Sequence, residues 1–333
     1  MIDHHGAEMN ELGRDSKAFP DHNQTITNYN DPTLRRDAAR FAIDHLGMND
    51  KDEDFHDFIR AAFVARDIDI YYEVSRGLRP YAPGELDVDL KEDERAALCN
   101  EKDKLFNERG IIMVNLAVSL AAILQGHVQS SINGASLYAA QLGIDSRMDQ
   151  PNWTLGAVNA APFFTAAALG CWLALPINDH FGRRGGMIVS AVLIFLTSLV
   201  AGLTVLIRQE DRWKLLLGAR ILNGIGMGIK AVSTPILASE TAIRFWRGSF
   251  VLAWQLWVSF GIMIGFVFNL IFASVVHRVY GENNRELTVA LILGAPLIFA
   301  TAMLGAVLRC TESPRYYMRG GQASQKYEPK KAI

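Results

Sequence analysis

Cysteine is scarce: the 333 residues include only Cys99, Cys171 and Cys310, too far apart to form a disulfide frame or a metal spacing. A secretory signal is missing too. The start has no charged n-region, apolar core and small-residue cleavage site, so the N-terminus is expected in the cytosol. Charge of one sign is not in excess, the formal net charge being −2. No basic field aims at nucleic acid, and no acidic field at a basic partner. Nucleophile elbow, phosphate loop, paired catalytic carboxylate and metal cluster are all lacking, so neither an enzyme nor a bound cofactor is expected. His4 and His5 alone do not make a metal site.

What is present falls into two unlike parts joined near Gly110. Residues 1–30 show no hydrophobic periodicity and read as a disordered cytosolic tail. Residues 31–109 read as a small cytosolic helical segment. Apolar residues recur at helical spacing there, first at Ala39, Phe41, Ala42 and Leu46, then at Phe55, Phe58, Ile59, Ala62 and Phe63. A third helix follows the turn signals Arg79-Pro80 and Ala82-Pro83-Gly84. Two readings of this prefix stand, a plain helical segment and a docking or regulatory one.

From 110 to 310 the fold class changes to an all-α membrane domain. Six apolar runs are each long enough to cross about 30 Å of hydrocarbon. They lie at 111–138, 153–177, 186–207, 214–239, 248–272 and 287–308, with residues 311–333 as a cytosolic tail. With an even number of crossings, both chain ends share a side. The connections HFGRRGG and TAIRFWRG then face the cytosol with Arg183, Arg184, Arg244 and Arg247, a modest positive-inside bias. The sequon at Asn152 falls in an outer loop close to the membrane, and that at Asn23 in the cytosol.

The region 219–261 concentrates the chemistry. Its first span carries Arg220 and Lys230 within apolar sequence, with glycines at 224, 226 and 228 that admit a close neighbour. Glu240, Arg244 and Arg247 form the connection, and the next run carries Gln255 between Trp254 and Trp257. Ionisable groups at depth mark a protein that moves something across a bilayer. Span one adds Gln125, His127, Gln129, Ser130, Ser131 and Asn133. That set is too polar for lipid, and either lines a wet cavity or marks a distorted helix end.

These residues resemble a family. Between spans two and three stands N-D-H-F-G-R-R; in span four, R-x-x-x-G-x-G-x-G; then P-x-L-x-x-E and R-G, a Gln eight residues after that Arg, and T-E-S-P-R. In this order they resemble the amino-terminal half of a sugar porter of the major facilitator superfamily, of the fungal type with a long cytosolic prefix. The resemblance implies transport of a sugar or polyol by alternating access, with Gln255 contacting substrate. An amide that donates and accepts suits a polyhydroxy ligand. Gln125, Gln129, Asn133 and Trp254 join it as candidate lining, the tryptophans being equally suited to packing. Asp179, Arg183, Arg184, Glu240, Arg244, Arg247, Glu312 and Arg315 become a cytosolic gate network that latches helix ends in one conformation. The plainer alternative is a solvated topogenic cluster.

Departures from the pattern qualify this. Proton-coupled members pair an Asp of span one with the Arg of span four, and here that position is Val128. Arg220 must then face water, a carbonyl or a side chain such as Gln125 or Gln129, and uniporter-like facilitated diffusion is expected. Leu175, Leu237 and Ile243 replace the usual residues beside two of the motifs. The family binds substrate between two six-span halves, and one half is seen here, so transport by it alone is expected to be incomplete. A homodimer or another porter half would supply the missing wall, in the plasma membrane. A sensor or regulator built from a porter half, signalling through its prefix, is the second function class. It would tolerate loss of Gln255 and not of residues 31–109.

Overall fold

The computed structural model describes residues 31–49, 53–80, 86–103, 109–144, 153–206, 208–242, 246–281 and 284–318. The expected disordered tail at 1–30, both sequon asparagines, Arg244, Ile243 and the end of the tail beyond 318 lie outside the described residues. All regular structure among the described residues is helical. The chain divides into two compact units, with the boundary at residues 104 and 105.

The first unit holds α1 (Asp31–Phe41), α2 (Glu53–Arg66), α3 (Ile68–Ser75) and α4 (Glu92–Asp103). A π-helical turn, Ala42–Leu46, extends α1 and is closed by Gly47 in the left-handed region at φ 63°. Ala39, Ala42 and Phe55 form a small core under Met48, Phe58 and Ile59, all but Met48 being residues whose helical spacing announced it. Helix α3 was not announced. Its IDIYYEVS run is short, and it is held by a buried Tyr71 whose hydroxyl accepts the Val88 N–H at 3.0 Å.

The second unit holds α5 (Arg109–Ser136), α6 (Trp153–Thr165), α7 (Cys171–Leu203), α8 (Gln209–Thr241), α9 (Arg247–Tyr280), α10 (Arg285–Gly294), α11 (Pro296–Arg309) and α12 (Pro314–Met318). A π-helical turn, Ala166–Gly170, joins α6 to α7. Five helices among the described residues are long and apolar enough to cross a membrane: 109–136, 153–206, 211–241, 247–280 and 285–309. In lipid such helices satisfy every backbone group internally.

The difference from six expected runs lies in 153–206, which covers two of them. Straight, its 54 residues would reach roughly 80 Å, far beyond about 30 Å of hydrocarbon. It is not straight, because Gly182 takes φ 78°, ψ 176°. Contacts with α8 reverse there. Before Gly182 the Thr165 hydroxyl donates to Ile221 O and Asn178 accepts from Ser233, so both segments advance together. After it Gly186 lies against Ser233 and Thr197 accepts from Asn223, so the chain runs back along α8.

Small residues set the close packing. A Cβ at Gly126 of α5 would overlap the Val258 carbonyl of α9, and one at Gly261 would overlap the Ile123 backbone. The main core joins Leu124, Val128 and Ile132 of α5 to Met187 and Ile194 of α7, Met227 and Leu237 of α8, and Met303 and Val307 of α11.

Candidate functional site

At one end of the membrane unit four stretches meet around a turn. Gly182 occupies backbone space open in practice to glycine alone, and a Cβ there would collide with the Glu312 carboxylate. The helix resuming after Gly182 presents unpaired N–H groups at its start. Glu312 takes them: Oε1 accepts from Arg183 N at 3.1 Å and Arg184 N at 3.2 Å, and Oε2 accepts from Arg184 N at 3.1 Å. Oε1 also accepts from Ser313 N at 2.9 Å. Burial pushes the Glu312 carboxyl above the usual carboxylate range, with these N–H groups and Arg183 pulling the other way.

The arginines beside the turn have separate tasks. Arg183 pairs with Glu240 at the end of α8. One terminal nitrogen donates to Oε1 at 3.1 Å, while Nε lies 3.0 Å from Oε2 in ion-pair contact with its N–H off line. Both side chains are about nine-tenths buried, at 9% and 10% exposure, so the pair works in reduced screening. The Ser313 hydroxyl donates to Glu240 Oε2 at 2.5 Å. Arg184 turns to the last carbonyls of α11, donating to Val307 O at 3.0 Å and Leu308 O at 2.6 Å. A cation suits that helix end. The Tyr316 hydroxyl of α12 donates to His180 O at 3.0 Å, and its ring lies 5.9 Å from the Arg183 guanidinium carbon.

The structure thus brings together Arg183, Arg184, Glu240 and Glu312. Asp179 is exposed beside the turn. Arg247 and Arg315 are exposed and make no hydrogen bond or ion pair among the described residues. Arg244 lies outside them.

Polar groups deeper in the bundle are arranged differently. Gln125, Gln129 and Asn133 form a stripe along α5, the first two half-buried and Asn133 exposed. On α9, Gln255 is exposed and Trp254 packs partly buried on the main core. The Gln255 side chain shares no hydrogen bond with the α5 stripe. Arg220 is 4% exposed. Its partner is Asn159 of α6, not Gln125 or Gln129: a terminal nitrogen donates to Asn159 Oδ1 at 2.6 Å, and Asn159 Nδ2 donates to the Ser136 hydroxyl at 2.9 Å. Arg220 and Val128 line one cavity of about 30 Å³. His127 is buried with its ring centroid 4.6 Å from that of Phe299, both ring nitrogens unpaired.

Sequence reasoning passed over several groups. Asn159, a single amide in an apolar run, drew no reading. Ser313 lies inside the T-E-S-P-R motif and Tyr316 directly after it, and neither had an assigned partner. At the opposite end Arg212 donates to Glu286 Oε1 at 2.8 Å, to Gln141 O at 3.0 Å and to Val205 O at 2.8 Å, fastening the starts of α8 and α10. Only its proximity to Glu286 in space, 74 residues on in sequence, could have revealed it.

The family model described as "Sugar (and other) transporter" matches residues 113–331. The chain belongs to this family. The relatives it matches are transporters and not enzymes. It is 29% identical over 220 residues to a myo-inositol transporter of Gibberella moniliformis, across 65% of this chain and 34% of that protein. A hexose transporter of Saccharomyces cerevisiae is 32% identical over 165 residues, across 49% of this chain and 26% of its own length. The family chain thus spans about a third or less of these relatives. Among solved structures it resembles the xylose transporter of E. coli in a partially occluded, inward-open conformation. That likeness has a TM-score of 0.60 at 20% identity, covering 68% of this chain and 52% of that one. It shows the major facilitator fold.

Proposed function

We propose that the chain forms a six-crossing unit of a sugar or polyol carrier working by alternating access. The observation that carries this is the closed network at Gly182, set in a chain of the sugar transporter family. Three crossings end there, tied by Arg183–Glu240 and by Glu312 on the backbone after Gly182. Losing one partner of such a buried pair costs about 3–5 kcal/mol, so the cluster favours one conformation and must be released in the other. The reversal of contacts at Gly182 supports counting 153–206 as two crossings, and an even number of crossings supports both termini lying on one side. The arginines at the latch end support the cytosol as that side. The plasma membrane is the proposed location.

The substrate path is assigned to the α5 stripe of Gln125, Gln129 and Asn133 together with Gln255 and Trp254 of α9. A second six-crossing unit opposite this one would complete it. Passive, uniporter-like transport is supported by Val128, which presents a hydrocarbon side chain to the cavity that Arg220 also lines. The test is labelled glucose and myo-inositol uptake in yeast lacking its own hexose carriers, with the chain expressed alone and beside a second porter half. Saturable uptake that falls about tenfold or more in Gln255→Ala is expected, the loss of roughly one or two substrate hydrogen bonds. Uptake indifferent to Gln255→Ala removes that residue from the path.

A further inference from the structure

Charge inside the apolar stretches of the membrane unit has one sign. The sequence holds no Asp or Glu between residues 111 and 144, 153 and 178, 183 and 207, 213 and 239, 248 and 281, or 287 and 311. Yet α8 buries two cations, Arg220 at 4% exposure and Lys230 at 0%. The Lys230 ammonium has no hydrogen-bond partner among the described residues. Arg220 gives one terminal nitrogen to Asn159, and leaves Nε and the other terminal nitrogen unpaired. A guanidinium grips a carboxylate in two-pronged fashion through such a pair of N–H groups.

The space beside them is shaped for a small group. Arg220 lines the 30 Å³ cavity with Val128, Ser131, Ser198 and Asn223. About two water-sized groups fit in that volume, enough for the two oxygens of a carboxylate. Asn223 Nδ2 donates to Thr197, while its Oδ1 is buried without a partner. The residues lining the cavity therefore carry two unpaired guanidinium N–H groups and one unpaired amide acceptor. A bare carboxylate leaves the acceptor unsatisfied, whereas a hydroxy acid answers both.

We infer that this cavity is the carboxylate subsite for a polyhydroxy monocarboxylate, a sugar acid held on the free guanidinium edge of Arg220 with a hydroxyl donated to Asn223 Oδ1. The inference rests on the reading of the chain as a carrier of polyhydroxy compounds and narrows its substrate class. Lys230, about 15 Å further along α8, has no acid in its own span either, so the helix interior favours an anion.

The test is equilibrium binding to the full chain in lipid nanodiscs, by calorimetry, with sodium gluconate, glucose, myo-inositol, sodium acetate and sodium chloride as probes. Gluconate is expected to bind roughly tenfold or more tightly than glucose, the scale of one charge-assisted hydrogen bond. Arg220→Gln should erase that preference while leaving glucose and myo-inositol binding in place, and Asn223→Ala should weaken gluconate while leaving glucose unaffected. Equal binding of gluconate and glucose by the unaltered chain overturns the inference and leaves the neutral-sugar reading standing. Acetate or chloride binding as well as gluconate reduces the cavity to a simple anion site and overturns the substrate class. Binding of none of the probes overturns the inference, and the carrier reading is then judged by uptake beside a second porter half.

Discussion

Glu312 shows how far a residue's task can depart from its motif. A carboxylate among arginines suggests ion pairs, but its bonds run to three backbone N–H groups, and Arg183 pairs with Glu240 instead. Because burial raises the Glu312 carboxyl from its ordinary value near 4.5, the folded chain holds that proton more tightly than the unfolded one. Stability from protonation is complete below the ordinary value and is lost as pH rises through the raised one. Melting temperatures of wild type and Glu312→Gln, compared between about pH 5 and 8, should diverge to the disadvantage of wild type as pH rises. A pH-independent difference would show that Glu312 titrates normally. Arg183→Ala should cost about 3–5 kcal/mol, read as lost thermal stability, because it strands the Glu240 carboxylate nine-tenths buried. The residue types of this cluster were legible in the sequence. Their pairing was not, since Arg183 and Arg184 meet Glu312 across 129 and 128 residues. Arg220 is the sharper case. Spacing offered two glutamines of span one, and only the packing of α6 against α8 puts Asn159 at its terminal nitrogen.

The helices themselves were the most legible feature, because apolar length in a membrane helix survives without long-range information. The break at Gly182 falls inside the N-D-H-F-G-R-R motif, and the structure adds why glycine is needed there. Its φ of 78° with ψ of 176° costs a residue bearing a Cβ about 1–3 kcal/mol, and the Cβ would also strike Glu312. Gly182→Ala is therefore expected to lower the melting temperature even though Ala is otherwise the better helix former. An unchanged temperature would mean that the turn relaxes freely. At the α5–α9 contact, Gly126→Leu should prise the helices apart, since even a Cβ meets the Val258 carbonyl. The melting temperature of Gly126→Leu should therefore fall, and an unchanged one would mean that α5 and α9 separate without cost. The short helix α3 escaped sequence reading because its stability comes from tertiary burial of Tyr71 and Tyr72, while its eight residues are too few to signal a helix alone.

At the scale of the molecule, the cores are drawn from separate stretches of chain. The two larger clusters use residues 114–310, and the small one uses residues 39–59. Burial of apolar surface and close helix contact are what hold a membrane unit once its backbone is satisfied. Both sources, the main core and the polar ties at the two ends of the bundle, lie within residues 109–318. Arg183–Glu240 closes one end, and Arg212–Glu286 fastens the other. A chain lacking residues 1–104 should therefore insert and melt within a few degrees of the full chain, since no core contact of the membrane unit is removed. Circular dichroism in the same detergent, followed with temperature, reads the outcome. A large fall in melting temperature would place structural support for the membrane unit in the N-terminal helices. An unchanged one leaves those helices free to be exchanged or deleted, so that any loss of uptake on their removal reports regulation and not misfolding.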